Sequence, residues 1–126
     1  MGHTVTTHTM PLSFTRPPLS ANDRSHWRPR ARITRAVRHE AATRARAMRL
    51  GPYRHITVQL HYRPRDRRVR DASNIMPTQK ALVDGLRDAR VVPDDDGRYV
   101  TEQMPTIYPV DGPAAMWLTI ETQEPR

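Results

Sequence analysis

Between His55 and Tyr62 the side chains alternate strictly, with Ile56, Val58 and Leu60 on one side and Thr57, Gln59 and His61 on the other. A period of two is that of a strand with one face buried. On both sides of this strand the period changes. From Arg30 to Leu50 the apolar residues Ile33, Val37, Ala41, Ala45 and Met48 recur every three to four positions, which predicts a helix with a narrow apolar stripe. Nearly everything else on that helix is Arg. Gly51-Pro52 supplies its stop, since Gly tolerates a left-handed cap and Pro cannot continue the helix. Pro77 to Ala89 predicts a second helix, with Pro77 in its first turn and Ala81, Leu82, Val83, Leu86 and Ala89 on its buried side. Helices with one apolar stripe each must lay it on the apolar face of a sheet, so the class is α+β.

The rest of the chain completes the sheet. Thr4 to Phe14 has the β-branched composition of a first strand, placed at an edge by Pro11, although residues 1–10, like 123–126, are expected to be flexible tails. Arg16 to Pro29 is read as irregular because of its prolines and its Asn-Asp pair. Arg63 to Arg70 is a basic loop or an extended strand edge. Tyr99 to Ile107 and Met116 to Thr122 read as closing strands, the latter alternating Met116, Leu118 and Ile120 against Trp117, Thr119 and Glu121. The expected architecture is one small domain over residues 1–126, with a mixed sheet of about four strands and two helices packed on it.

Only 37% of the residues are hydrophobic and 6% aromatic, so the core must be lean and mostly aliphatic. The net charge is +8 and the isoelectric point near 11.1. A balance of this kind favours a polyanionic partner, because neutralised phosphates release counterions. A GC-rich genome that writes Arg freely is the competing explanation. No apolar run approaches the ~20 residues needed to span a bilayer, so a membrane partner is not expected. Met1 to Met10 lacks the charged and apolar regions of a signal peptide. The absence of cysteine removes disulfides, thiolate zinc sites and cysteine nucleophiles, and fits a reducing cytoplasm. Lys80 is the one lysine among 21 basic residues. A compact ammonium and a planar guanidinium are not interchangeable where a single point charge must reach a phosphate or a water.

Two acidic features stand out against this background. Asp71 follows directly on Arg67-Arg68-Val69-Arg70, and Asp94-Asp95-Asp96 lie in a row. Acids should be sparse where a polyanion binds, unless they hold a cation. A hard cation such as Mg²⁺ takes carboxylate oxygens, polarises a phosphoryl group and activates a water. The structural alternatives are an ion pair between Asp71 and its arginines, and an ordinary Asp-Gly turn at Asp94 to Gly97. The triplet is not an EF-hand, since Val92 stands where that pattern needs an acid. The six histidines lack the close pairings of a zinc site, and no Gly-rich phosphate loop is present. Trp27 either stacks on an unpaired base or anchors the Pro-rich segment.

The run Arg70-Asp71-Ala72-Ser73-Asn74, then Lys80 with Asp84 and Leu86, then Asp94-Asp95, resembles the signature of the RusA family of Holliday-junction resolvases. Upstream, Arg16-Pro17-Pro18-Leu19-Ser20-Ala21-Asn22 is similar to that family's Pro-Pro-Ser-x-Asn loop. The similarity runs from about Phe14 to Val100. It implies a homodimeric, Mg²⁺-dependent endonuclease that nicks opposed strands of a four-way DNA junction. Carried over by position, Asp71, Lys80 and Asp95 are the catalytic residues. Asp71 and Asp95 hold the metal, with Asp94 assisting and Ser73 standing where the family has a further acid. Arg16, Asn22, Arg67, Arg68, Arg70 and Asn74 are the expected DNA-binding residues. Lys80 and Asp84 are four apart, so the acid can steer the lysine along one helix face.

Two departures from the family pattern bear on activity. Ser73 offers a neutral hydroxyl, a weaker ligand for a hard cation than a carboxylate, unless Asp96 or a water compensates. Three additional residues lie between Asn74 and Lys80 compared with the shortest family members. A junction-binding protein without catalysis, or a general basic nucleic-acid-binding module, are the alternatives these residues leave open.

Overall fold

The computed structural model describes residues 3–21 and 27–125. Asn22 and His26 therefore lie outside the described residues, as does the side chain of Trp27. The elements follow in the order β1 (His3–Pro11), α1 (Trp27–Ala47), β2 (Ile56–Arg63), a 3-10 turn (Ala72–Ile75), α2 (Met76–Asp88), β3 (Val100–Glu102), β4 (Thr106–Ile107) and β5 (Ala115–Pro125).

The sheet is mixed, in the order β1-β5-β2-β3, with β4 pairing further along β2. β5 runs antiparallel to both neighbours, from His3↔Pro125 to Pro11↔Trp117 on one side and from Ile56↔Thr122 to Arg63↔Ala115 on the other. β3 and β4 are parallel to β2. Parallel neighbours need a crossover, and α2 provides it. Residues 3–10 and 123–125, expected as tails, are thus paired strand, with 3–5 opposite 123–125 and 6–10 opposite 118–122. The expected strand Tyr99–Ile107 is two short strands. Between them Pro105 cannot donate to a ladder, and the chain leaves β2 there.

Both helices pack on the face carrying Ile56, Val58, Leu60, Met116, Leu118 and Ile120, all of them buried. Val37, Ala41 and Ala45 of α1 and Ala81, Leu82, Val83 and Leu86 of α2 close the core from above. Met48, expected in the stripe, is exposed because α1 ends at Ala47. The helix also begins earlier than expected, at Trp27. Pro29 falls within its first turn, where a missing N–H has no intrahelical partner to lose.

The left-handed residue that closes α1 is Arg49 (φ 56°), two positions before Gly51. This reversal lets the Leu50 N–H donate to the Ala45 carbonyl and turns Leu50 into the core. Gly51 (φ 84°) serves the next step of the path, since a Cβ there would sit 2.7 Å from the Val91 Cα. α2 ends in the same way, with Arg90 at φ 62° and the Val91 N–H donating to the Leu86 carbonyl.

Two buried polar residues fix what surrounds α2. Thr78 Oγ donates to the Leu19 carbonyl (2.7 Å) and accepts from the Leu19 N–H (3.1 Å), which ties the Pro-rich segment to the start of the helix. Gln79 accepts from the Leu60 N–H (2.8 Å) and donates to the Gln103 carbonyl (2.9 Å). Its amide bridges the gap that β3 and β4 leave along β2. No helix among the described residues is long and apolar enough to cross a membrane.

Candidate active site

Asp71 caps the turn that leads into α2. Its backbone is extended (φ −107°, ψ 124°), and one carboxylate oxygen accepts both the Ser73 N–H (3.0 Å) and the Ser73 hydroxyl (2.9 Å). The Asn74 N–H is held by the Asp71 carbonyl. A carboxylate at the start of a helical segment satisfies donors that have no other partner, which is why Asp-x-Ser folds locally in this way. The other Asp71 oxygen has no hydrogen-bond partner among the described residues, and the residue is exposed.

Further along the same segment, Lys80 and Asp84 lie on successive turns of the outer face of α2, with the ammonium 3.3 Å from the acid. Asp95 arrives from the turn after the helix and meets the Lys80 ammonium at 3.0 Å, with Arg87 at 3.4 Å. A hydrogen bond shared with Asp84, then the Lys80 ammonium, hold Asp95 well below the usual carboxylate range. Burial, followed by that shared hydrogen bond, pushes Asp84 up. Burial pulls Lys80 down, but its two acidic partners outweigh this and leave it raised. The lysine is a fixed cation between two carboxylates, half-exposed to whatever lies outside the helix.

The remaining acids of the triplet do other things. Asp94 accepts the Asp95 N–H (2.8 Å) and so shapes the turn. Asp96 accepts from the Arg98 guanidinium (2.9 Å) and the Arg98 N–H (2.9 Å), and its carbonyl starts the path into β3. Both of its carboxylate oxygens are engaged with Arg98.

The structure brings Asp71 together with Ser73 and Asn74, and Lys80 together with Asp84 and Asp95. No hydrogen bond links the two sets among the described residues. No group of three or more His, Asp or Glu among those residues converges as a metal site. Mg²⁺, however, is held by one or two carboxylates together with waters and substrate phosphates, without an all-protein cage. The hard oxygens of Asp71, Asp94 and Asp95 suit that ion in kind, and one Asp71 oxygen has no partner among the described residues.

The cationic surroundings are equally specific. A cleft of about 390 Å³ is lined by Arg16, Arg65, Asp66, Arg68 and Arg70 over the ring of Tyr62. A second, of about 260 Å³, shares Pro17, Tyr62 and Arg70 with it and reaches Asp71 and Asn74. The Pro-rich segment forms the shared wall, held by the Leu19–Thr78 pair and by the Ala21 N–H on the Asn74 carbonyl (2.8 Å). Arg67 and Arg68 are exposed. Arg70 is turned inward, with a side chain 20% exposed against 80% for Arg68. On α1, Arg38 is paired with Asp88 (2.9 Å) and Arg44 with Glu40 (3.0 Å), so part of the basic helix face is neutralised within the fold.

Sequence reasoning did not single out Thr78, Gln79, Arg87 or Asp66. A signal existed for two of them. Ile75, Gln79, Leu82 and Leu86 share one helical face, which puts the amide in the core, and Asp66 stands four before Arg70.

No protein-family model matches this chain, and no curated protein matches it.

Proposed function

We propose that the chain is a Mg²⁺-dependent endonuclease of the RusA kind, cutting four-way DNA junctions as a homodimer. The observation that carries this reading is the meeting of the sole lysine with Asp95, fifteen residues further along, at 3.0 Å. That contact joins two of the residues that the family signature spreads over the sequence, and Asp84 meets the same ammonium. Asp71 and Asp95 would hold the ion, with Asp94 and the Ser73 hydroxyl beside them. Bound there, Mg²⁺ supplies polarisation of the phosphoryl group and a water of lowered pKa. Lys80 stabilises charge on the phosphoryl oxygens or orients the attacking water, and Asp84 keeps its ammonium in place. Arg16, Arg67 and Arg68 neutralise flanking phosphates and set position, not base sequence. Asn74 stands next to Asp71 for a sugar or phosphate contact, and Asn22 belongs to the same set by resemblance. A four-way junction is two-fold symmetric, and a C2 pair of chains presents one site to each opposed strand.

A second reading is favoured by one observation. The Ser73 hydroxyl donates to Asp71 where a carboxylate would supply a further negative ligand. A junction binder without catalysis would look the same at this position.

Cleavage of an end-labelled mobile junction, with and without Mg²⁺ and beside Asp71→Asn, separates the two. The expected result is paired symmetric nicks that need both the metal and Asp71. Tight junction binding without nicks would leave the binder.

A further inference from the structure

Arg70 closes the basic run, yet its guanidinium faces the protein. One terminal nitrogen donates to the carbonyls of Asp66 (2.9 Å) and Arg68 (3.0 Å), and the other donates to the Asp66 carboxylate (2.6 Å). The same Asp66 oxygen accepts the Arg68 N–H (3.1 Å). The guanidinium carbon lies 5.5 Å from the centroid of the ring of Tyr62, a buried residue near the end of β2. The segment 66–70 is therefore wound around one planar cation that rests on a buried aromatic. A free loop would turn its one apolar side chain inward, yet Val69 is 98% exposed. The next residue is Asp71, whose extended backbone opens the turn into α2.

We propose that Asp66 and Arg70 form a clamp that positions Asp71, so that Arg70 works inside the protein and not on the DNA backbone. Both are positioning residues, and their relevance to cleavage rests on the endonuclease reading above. A lysine could not replace Arg70, because three donors on a flexible tip cannot span two carbonyls and a carboxylate as a rigid fork does.

The test uses the full chain with Asp66→Asn, Arg70→Lys and Arg70→Gln, beside Arg68→Gln. The first readout is amide hydrogen exchange at Ser73 and Asn74, whose N–H groups are both held by Asp71. All three clamp variants should exchange there about tenfold faster or more, while β2 and β5 amides keep their protection. The second is junction cleavage in Mg²⁺. Asp66→Asn removes a negative charge beside the cationic cleft, which by charge alone would tighten DNA binding and raise the rate. The clamp requires the rate to fall, and Arg70→Lys to fall with it. The third is the salt dependence of junction binding. Arg68→Gln should reduce the slope by about one and Arg70→Gln should leave it unchanged.

Wild-type exchange at Ser73 and Asn74 in the clamp variants would overturn the proposal. So would a slope lowered as much by Arg70→Gln as by Arg68→Gln. If the native chain nicks nothing, the endonuclease reading fails on its own, and the exchange and salt measurements still decide the clamp.

Discussion

The amide of Gln79 is fully buried, and its carbonyl oxygen takes the Leu60 N–H while its nitrogen reaches the Gln103 carbonyl and the Glu102 carboxylate. β2 pairs with β3 only as far as Val58 and with β4 only from His61, so Leu60 has no strand partner on that side. Replacing Gln79 with Leu keeps the bulk and leaves the Leu60 N–H unsatisfied. The expected cost is about 1–3 kcal/mol of stability in a urea titration, and a loss well under that range would mean water enters the gap. His61 makes a second single-residue argument on the opposite face of the sheet. Its ring stacks on Trp117 at 5.4 Å, and its nitrogens meet Tyr108 Oη (2.7 Å) and Thr119 Oγ (2.8 Å). Burial favours the neutral imidazole, so His61 titrates below its ordinary 6.5. As pH falls the unfolded chain binds that proton first. Stability is complete above about 6.5 and declines below it, until the folded group is protonated too. Between pH 7.5 and 5 the native chain should lose more stability than His61→Gln, and equal losses would assign the decline to other groups.

Helix α2 reaches the sheet and α1 at once because of Gly85. A Cβ there would collide with the Arg38 carbonyl and come within 2.7 Å of the Ala41 Cβ, and neither can swing aside as the tip of a long side chain could. Gly→Ala in a helix interior is ordinarily favourable by roughly 0.5–1 kcal/mol. Here the clash reverses the sign. Gly85→Ala should destabilise by about 1–3 kcal/mol, with α1 displaced, and a rise in the melting temperature would show that the helices separate freely. The element boundaries show what a sequence carries and what it withholds. The stripes on α1 and α2 and the alternation of β2 and β5 were legible, because each is a local period imposed by one buried face. The early start of α1 was not, since Pro29 reads as a breaker unless it is known to fall in a first turn. The cap at Arg49 was hidden behind Gly51-Pro52. The split of β3 from β4 has a local sign in Pro105, but the bridging of the gap by Gln79, nineteen residues from the Leu60 it bonds, has none.

At the scale of the molecule, the candidate residues could be named before their contacts could. Asp71, Lys80 and Asp95 were named by resemblance, beside an acid after an arginine run, a solitary lysine and an acidic triplet. That Asp71 would cap its own turn through Ser73, and that Arg70 would face inward, depends on how the Pro-rich segment and the 66–70 loop fold back on Tyr62. The surface that results has a consequence for binding. Acids engage Arg38, Arg44, Arg70 and Arg98, whereas Arg16, Arg65 and Arg68 line the cleft next to the one that reaches Asp71 and Arg67 is exposed. Of these, among the described residues, only Arg68 approaches an acid, at 3.9 Å. Each phosphate neutralised contributes roughly −0.9 to the slope of log affinity against log salt, so four such arginines give roughly −3 to −4 for one chain. A two-fold pair of chains on a symmetric junction doubles this, to roughly −7. Junction binding measured across a salt series, with mass measurement of the complex, should therefore return the steeper slope and two chains per junction. A shallow slope with one chain bound would remove the dimer. It would also leave a single site with no symmetric partner for the second strand, and paired nicking would then have to proceed as two independent encounters.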